Sequence, residues 1–133
     1  MEKRLIQRTM STTLKSYKLS KSIIVKTWFT GFHKWPKAPD EVAFLRQLHR
    51  HVFFIECHFR VSESRELEFF MVQARLNKCV GLLKAELDDS PYLSCEEMAE
   101  FLANALLSDE LPVFKVSVSE DGENSGVVEL ELY

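Results

Sequence analysis

The run His49-Arg50-His51-Val52-Phe53-Phe54-Ile55-Glu56-Cys57-His58-Phe59-Arg60-Val61 constrains this chain more than any other stretch. β-branched and aromatic residues run through it without Gly or Pro, which is strand composition. Side chains at i and i+2 of a strand share a face. His49 and His51 therefore stand in register with Phe53, Ile55, Cys57, Phe59 and Val61. So apolar a face has to be covered by a second layer. The two imidazoles at its mouth, about 7 Å apart along the chain, can converge on one ion. Zinc takes His nitrogens at about 2.0–2.1 Å, and a catalytic zinc keeps three protein ligands and an open position. A third ligand is close in sequence. Ser22 to His33 also reads as a strand, and its Ile23/Val25/Phe29/Gly31 register ends in His33. If the two strands pair, His33 approaches the other two. The alternative is a set of unrelated surface or core histidines, stacking on Trp35.

Between and beyond these strands the pattern changes. Trp35 to Glu41 is a loop punctuated by Pro36 and Pro39, and Glu41 to Leu48 allows a short helical turn. Ser62 to Glu66 is a polar turn. From Glu68 to Leu87 the apolar residues Phe69, Val72, Leu76, Val80, Leu83 and Leu87 recur at helical spacing. Gly81 weakens that helix and Asp88-Asp89-Ser90-Pro91 stops it. Ser94-Cys95-Glu96-Glu97 is a capping box opening a second helix, which buries Met98, Phe101, Leu102, Ala105 and Leu106 and ends before Pro112. Val113 to Glu120 is a strand, Asp121 to Gly126 a turn, and Val127 to Tyr133 a last strand. The order is β-β-α-α-β-β, an α+β domain with two helices on one face of an antiparallel sheet.

Charge and cysteine content narrow the partners and the compartment. Net charge is −3, yet residues 1–26 hold seven Lys/Arg and one Glu, against ten Lys/Arg and nineteen Asp/Glu in the rest. Residues 1–21 are read as a basic, loosely docked arm and 22–133 as one domain. Such an arm can steer anions, but nothing else resembles a reader of bases, so nucleic acid is not expected as a partner. No apolar run approaches the ~18 residues of a membrane span, and the N-terminus lacks the apolar segment of a signal peptide. The chain has 3 cysteines, an odd number, none at CxxC spacing. Free thiols in a reducing cytoplasm are the expectation.

Glu120 needs a reason. Phe114, Val116 and Val118 put it on the apolar face of its strand, where an unpaired carboxylate is costly. Either it reaches water at the strand end, or it anchors a ligand with adjacent N–H donors, such as the amino-pyrimidinone edge of a pterin or guanine.

Taken in order, these segments resemble the 6-pyruvoyl-tetrahydropterin synthase family, which includes the 6-carboxytetrahydropterin synthases. Phe29-Thr30-Gly31-Phe32-His33 is similar to the family's first-strand segment ending in a zinc histidine. His49-Arg50-His51 is similar to its His-Gly-His, and Glu68-Phe69 stands where the family has Asp-Phe. Ser94-Cys95-Glu96 resembles its Pro-Thr-x-Glu, with Leu93 for the Pro, and Val116 to Glu120 resembles the strand whose Glu holds the pterin ring. The resemblance implies the T-fold and zinc on His33, His49 and His51. It implies a pterin- or nucleotide-like ligand on Glu120, beside Ser94 and Cys95. It also implies a homo-oligomer, trimer or hexamer, in which subunits cover one another's sheet edges.

The departures bear on chemistry. The family carries a proton-transferring Cys, sometimes Glu, four residues before its His-x-His; here that position is Leu45, and Arg46, Gln47 and Leu48 are poor substitutes. The family's Leu-Asp-His relay segment is here Leu87-Asp88-Asp89, without the His. Arg50 in place of Gly adds a cation on the face opposite the ligands. Two functions follow as expectations. One is a zinc-dependent enzyme of lyase or isomerase type on a pterin- or purine-like substrate, with Asp88, Asp89, Cys57 or His58 as substitute base. The other is a non-catalytic protein that captures such a molecule as sensor or sink. A third, blander possibility is an inherited fold with no site.

Overall fold

The computed structural model describes residues 16–131. Most of the expected basic arm, residues 1–15, lies outside the described residues. Residues 17–20 form no strand or helix, and Tyr17 and Leu19 are exposed.

Two long strands form first in sequence, β1 (Lys21–His33) and β2 (His49–Val61). They pair antiparallel over their full length, from Lys21 opposite Val61 to His33 opposite His49. Along β2 the alternation is kept: Phe53, Ile55, Cys57 and Phe59 are all but inaccessible to solvent. The connection between the strands holds a short 3-10 helix (Asp40–Arg46) where a helical turn is expected. Arg46 holds this loop together, donating to the Ala38 carbonyl at 2.8 Å and to Asp40 at 2.7 Å.

Helix α1 (Phe69–Asp89) follows β2. The Glu68 carboxylate caps it, accepting from the backbone N–H groups of Phe70 and Met71. Its buried stripe is Val72, Leu76, Val80, Leu83 and Leu87, joined by Cys79. Two details differ from the sequence expectation. Phe69, assigned to that stripe by spacing, is 57% exposed in the first turn of the helix. The helix also runs through Asp88 and Asp89, and ends at Ser90, before Pro91. Helix α2 (Cys95–Ser108) opens with the expected capping box, in which Ser94 and Glu97 satisfy one another's backbone N–H groups. Met98, Ala99, Leu102, Ala103 and Leu106 are buried along it; Phe101 and Ala105 are only partly covered.

Strands β3 (Val113–Glu120) and β4 (Asn124–Glu129) complete a four-stranded antiparallel sheet of order β1-β2-β3-β4. The turn is tighter than its composition implies. Only Asp121 to Glu123 lie between the strands, with positive φ at Asp121 (56°) and Gly122 (76°), so β4 starts at Asn124 and not at Val127. Both helices cover one face of the sheet, α1 over β1 and α2 over β3 and β4. The core lies between the layers. The other face carries exposed Ile24, Trp28, Phe32 and Phe54, with Trp28 directly opposite Phe54. Among the described residues no helix is long and apolar enough to cross a membrane.

Candidate metal centre and adjoining pocket

The register of β1 with β2 builds the site. His33 stands opposite His49, and Gly31 opposite His51, so all three imidazoles leave the sheet on the helix-covered face. Their ring centroids are 4.6, 5.3 and 4.9 Å apart. Phe53 lies beneath, 5.2 Å from His33 and 5.6 Å from His51. β3 ends beside them, because Glu120 pairs with Phe53. Glu120 Oε2 lies 3.0 Å from His33 Nε2 and 3.7 Å from His51 Nε2. His33, His49, His51 and Glu120 each offer a ligand atom, and the four atoms all lie within 4.8 Å of one another.

The Nδ1 atoms decide what these rings can do. His33 Nδ1 is 2.9 Å from the Leu93 carbonyl, and His49 Nδ1 is 2.8 Å from the Gln47 carbonyl. His51 Nδ1 is 2.6 Å from Asp121 Oδ2. Carbonyl and carboxylate oxygens only accept, so each Nδ1 carries the proton and donates it. In the neutral rings each Nε2 is then a lone pair aimed into the cluster. Fixing the outer nitrogen in this way sets tautomer and orientation for metal binding. Two of these atoms, His33 Nε2 and His51 Nε2, are buried with no hydrogen-bond partner among the described residues, although Glu120 is within 3.0 Å of the first. Contact without hydrogen-bond geometry leaves both lone pairs unsatisfied, and a cation meets that need. The residues therefore fit a divalent metal.

Electrostatics agree. Burial pushes the His33 pKa below its ordinary 6.5; the Leu93 hydrogen bond raises it, His49 lowers it and Glu120 raises it. The ring is thus neutral near pH 7, as a ligand must be. The hydrogen bond from His51 holds Asp121 below its ordinary range, and a bond from the Val52 N–H acts the same way.

A cleft of about 480 Å³ opens beside the cluster. His33, His49 and Glu120 form one side, Trp35, Leu45 and Tyr92 supply apolar walls, and Ser94 to Glu97 with Asn124 to Gly126 complete it. Its volume suits a small organic molecule. Glu96, Glu97 and Glu120 line it, and Lys34 is the one ammonium among its described lining residues. Ser94 and Cys95 are in this wall. Cys95 is buried, and its thiol is pushed up to about 12 by burial, then by the charges of Glu120 and Glu96. It is no nucleophile near neutral pH.

The remaining candidates are not brought here. Asp88 and Asp89 are exposed at the end of α1 and do not line the cleft. Cys57 is wholly buried, with its thiol pushed up to about 12 by burial. His58 faces away, 3.3 Å from Glu56. Arg50 stands opposite Phe32 on the outer face. Sequence reasoning missed Asp121, the Leu93 and Gln47 carbonyls, and Gly126. Asp121 alone carried a signal, as an acidic residue directly after Glu120.

With this geometry, the chain can be set beside known proteins. No protein-family model and no curated protein sequence matches it. Solved structures do. An uncharacterized protein from Wolinella succinogenes aligns with a TM-score of 0.63 at 12% identity, covering 86% of this chain and 100% of that one. The 6-pyruvoyl tetrahydropterin synthase of Caenorhabditis elegans aligns with a TM-score of 0.59 at 14% identity, covering 85% of this chain and 97% of that one. The fold is the T-fold. At such identity the likeness speaks for architecture alone. The T-fold places the ends of β1, β2 and β3 together, and what this chain carries at those ends is its own.

Proposed function

We propose that this T-fold protein binds one divalent metal, zinc by preference, through His33, His49 and His51. In the adjoining cleft it captures a flat, donor-rich heterocycle of pterin or purine type. The observation that carries this reading is the convergence of three Nε2 lone pairs whose Nδ1 protons are all held elsewhere. Three imidazoles suit zinc, and their Nδ1 hydrogen bonds already orient the rings for it. Trp35 and Tyr92 offer aromatic walls to a flat ring, and three carboxylates against one ammonium favour N–H donors over phosphates.

Capture without turnover is the better supported use. Leu45 lines the cleft where the family resemblance puts a proton-transfer group, and Asp88 and Asp89 stay outside it. General acid–base groups contribute about 10²–10⁴-fold to a rate. The enzyme reading rests instead on the metal, which polarises a carbonyl or hydroxyl on a bound ring. The exposed Ile24, Trp28, Phe32 and Phe54 face and the edges of β1 and β4, unpaired among the described residues, support self-association, with a second copy as occupant.

The test uses untagged protein. Elemental analysis should find one zinc per chain, lost in His33→Ala and His49→Ala. Pterin and guanine should then quench the fluorescence of Trp35 in the parent protein, with the ring recovered unchanged by chromatography. Absence of metal and of binding overturns the proposal; a converted ring moves it to the enzyme reading.

A further inference from the structure

Glu120 stands too close to the histidines to be only a ring anchor. Its Oε2 lies 3.0 and 3.7 Å from the Nε2 atoms of His33 and His51. Donor atoms around a tetrahedral zinc with bonds of about 2.0–2.1 Å are about 3.3 Å apart. The two distances straddle that spacing. An ion pair is the obvious alternative, with an imidazolium donating from Nε2 to Glu120 while Nδ1 donates to the Leu93 carbonyl, but the contact lacks the hydrogen-bond geometry such a donation needs. The Nε2 of the neutral ring then faces the carboxylate lone pair against lone pair, with no hydrogen-bond geometry between them. Two acceptors at this distance repel unless a positive charge lies between. The position is also not a loose one. The Asp121 N–H donates to the Val52 carbonyl at 2.7 Å and the Glu123 N–H to the Glu120 carbonyl at 2.9 Å, so the turn holds the Glu120 backbone beside β2.

We infer that Glu120 is the fourth ligand of the metal in the ligand-free protein, so that the site is closed at rest. This rests on the three-histidine reading. It goes beyond it in giving one carboxylate two competing uses. A ring that takes Glu120 as its anchor draws it off the metal and opens one coordination position, so ring capture and metal access are coupled.

The test is made with cobalt(II) as a coloured replacement for zinc and azide as a probe of open positions. Metal-stripped parent protein, Glu120→Ala and the size-conserving Glu120→Gln are titrated with cobalt. The d–d absorption is recorded before and after azide. The parent should bind one cobalt with a four-coordinate spectrum that azide leaves unchanged. Glu120→Ala should bind cobalt at least about tenfold more weakly, since even losing an outer partner of a ligand costs about 10–100-fold. Its spectrum should shift with azide, and Glu120→Gln should fall between. If azide perturbs parent and variant alike and their affinities agree, Glu120 is not a ligand, while the histidine site stands. If the parent binds no cobalt, the histidine reading falls and takes this one with it.

Discussion

Two glycines, Gly126 and Gly81, should respond to the same substitution with opposite signs. Gly126 is where β4 meets the first turn of α2, on the wall of the cleft. A Cβ there would stand 2.5 Å from the Glu96 backbone nitrogen, 2.7 Å from Glu96 Oε1 and 2.8 Å from the Cys95 carbonyl carbon. The Glu96 side chain can swing aside, but the two backbone atoms belong to a capped helix and cannot. Overpacking of this kind costs about 1–3 kcal/mol, and rigid backbone contacts put it near 3. Ala recovers about 0.5–1 kcal/mol of chain entropy relative to Gly in a strand. Gly126→Ala should therefore lose about 2 kcal/mol. Gly81 lies on the exposed side of α1, and a Cβ there meets nothing within 4 Å. Gly81→Ala should gain about 0.8–1 kcal/mol, the helix-propensity difference alone. The two variants should differ by about 3 kcal/mol in urea unfolding at unchanged m-value. A Gly126→Ala protein as stable as the parent would refute the close approach of β4 to α2 and, with it, the shape of this wall.

Other outcomes follow from the site. Asp121→Ala frees the His51 Nδ1 proton and should weaken zinc binding about 10–100-fold by competition titration, with a smaller loss in Asp121→Asn, whose amide oxygen still accepts. In metal-stripped protein His33 sets a pH dependence. Its folded pKa lies below the unfolded 6.5, so on acidification the unfolded chain takes the proton first. Its contribution is whole above about pH 6.5 and lost as pH falls through that value toward the folded pKa. The urea midpoint should drop between pH 7 and pH 5 and drop less in His33→Gln; a flat midpoint in the parent contradicts the burial account. Asp121, held below 3.8 in the folded state, acts in a lower window, stabilising above that pH and losing its effect below it. Finally, Trp28→Asp places a charge on the exposed outer face and should shift sedimentation from oligomer to monomer with far-UV circular dichroism unchanged; a parent that is already monomeric removes the reason for that apolar face.

Much of this molecule is legible in the sequence because period and face are local properties. Alternation along 49–61 put His49 and His51 with Phe53 and Ile55, and helical spacing along 68–87 marked the stripe from Val72 to Leu87. The Ser94–Glu97 capping box depends on four neighbouring residues and was readable from them. Even the His33 partnership needed only that two adjacent strands pair in register. Tertiary structure alone decided the rest. The partners of the three Nδ1 atoms are two backbone carbonyls and one turn carboxylate, and every residue has a carbonyl, so no residue type marks Leu93 or Gln47. Phe69 has the right spacing for the core but is left exposed in the first turn of α1, and period carries no information about what packs over a helix end. Gly126 reads as one more turn residue until α2 is seen resting against it. Glu120 was placed on the right face by alternation. Its 3.0 Å approach to His33 depends on β3 lying against β2 in one register, a long-range pairing that local sequence does not encode.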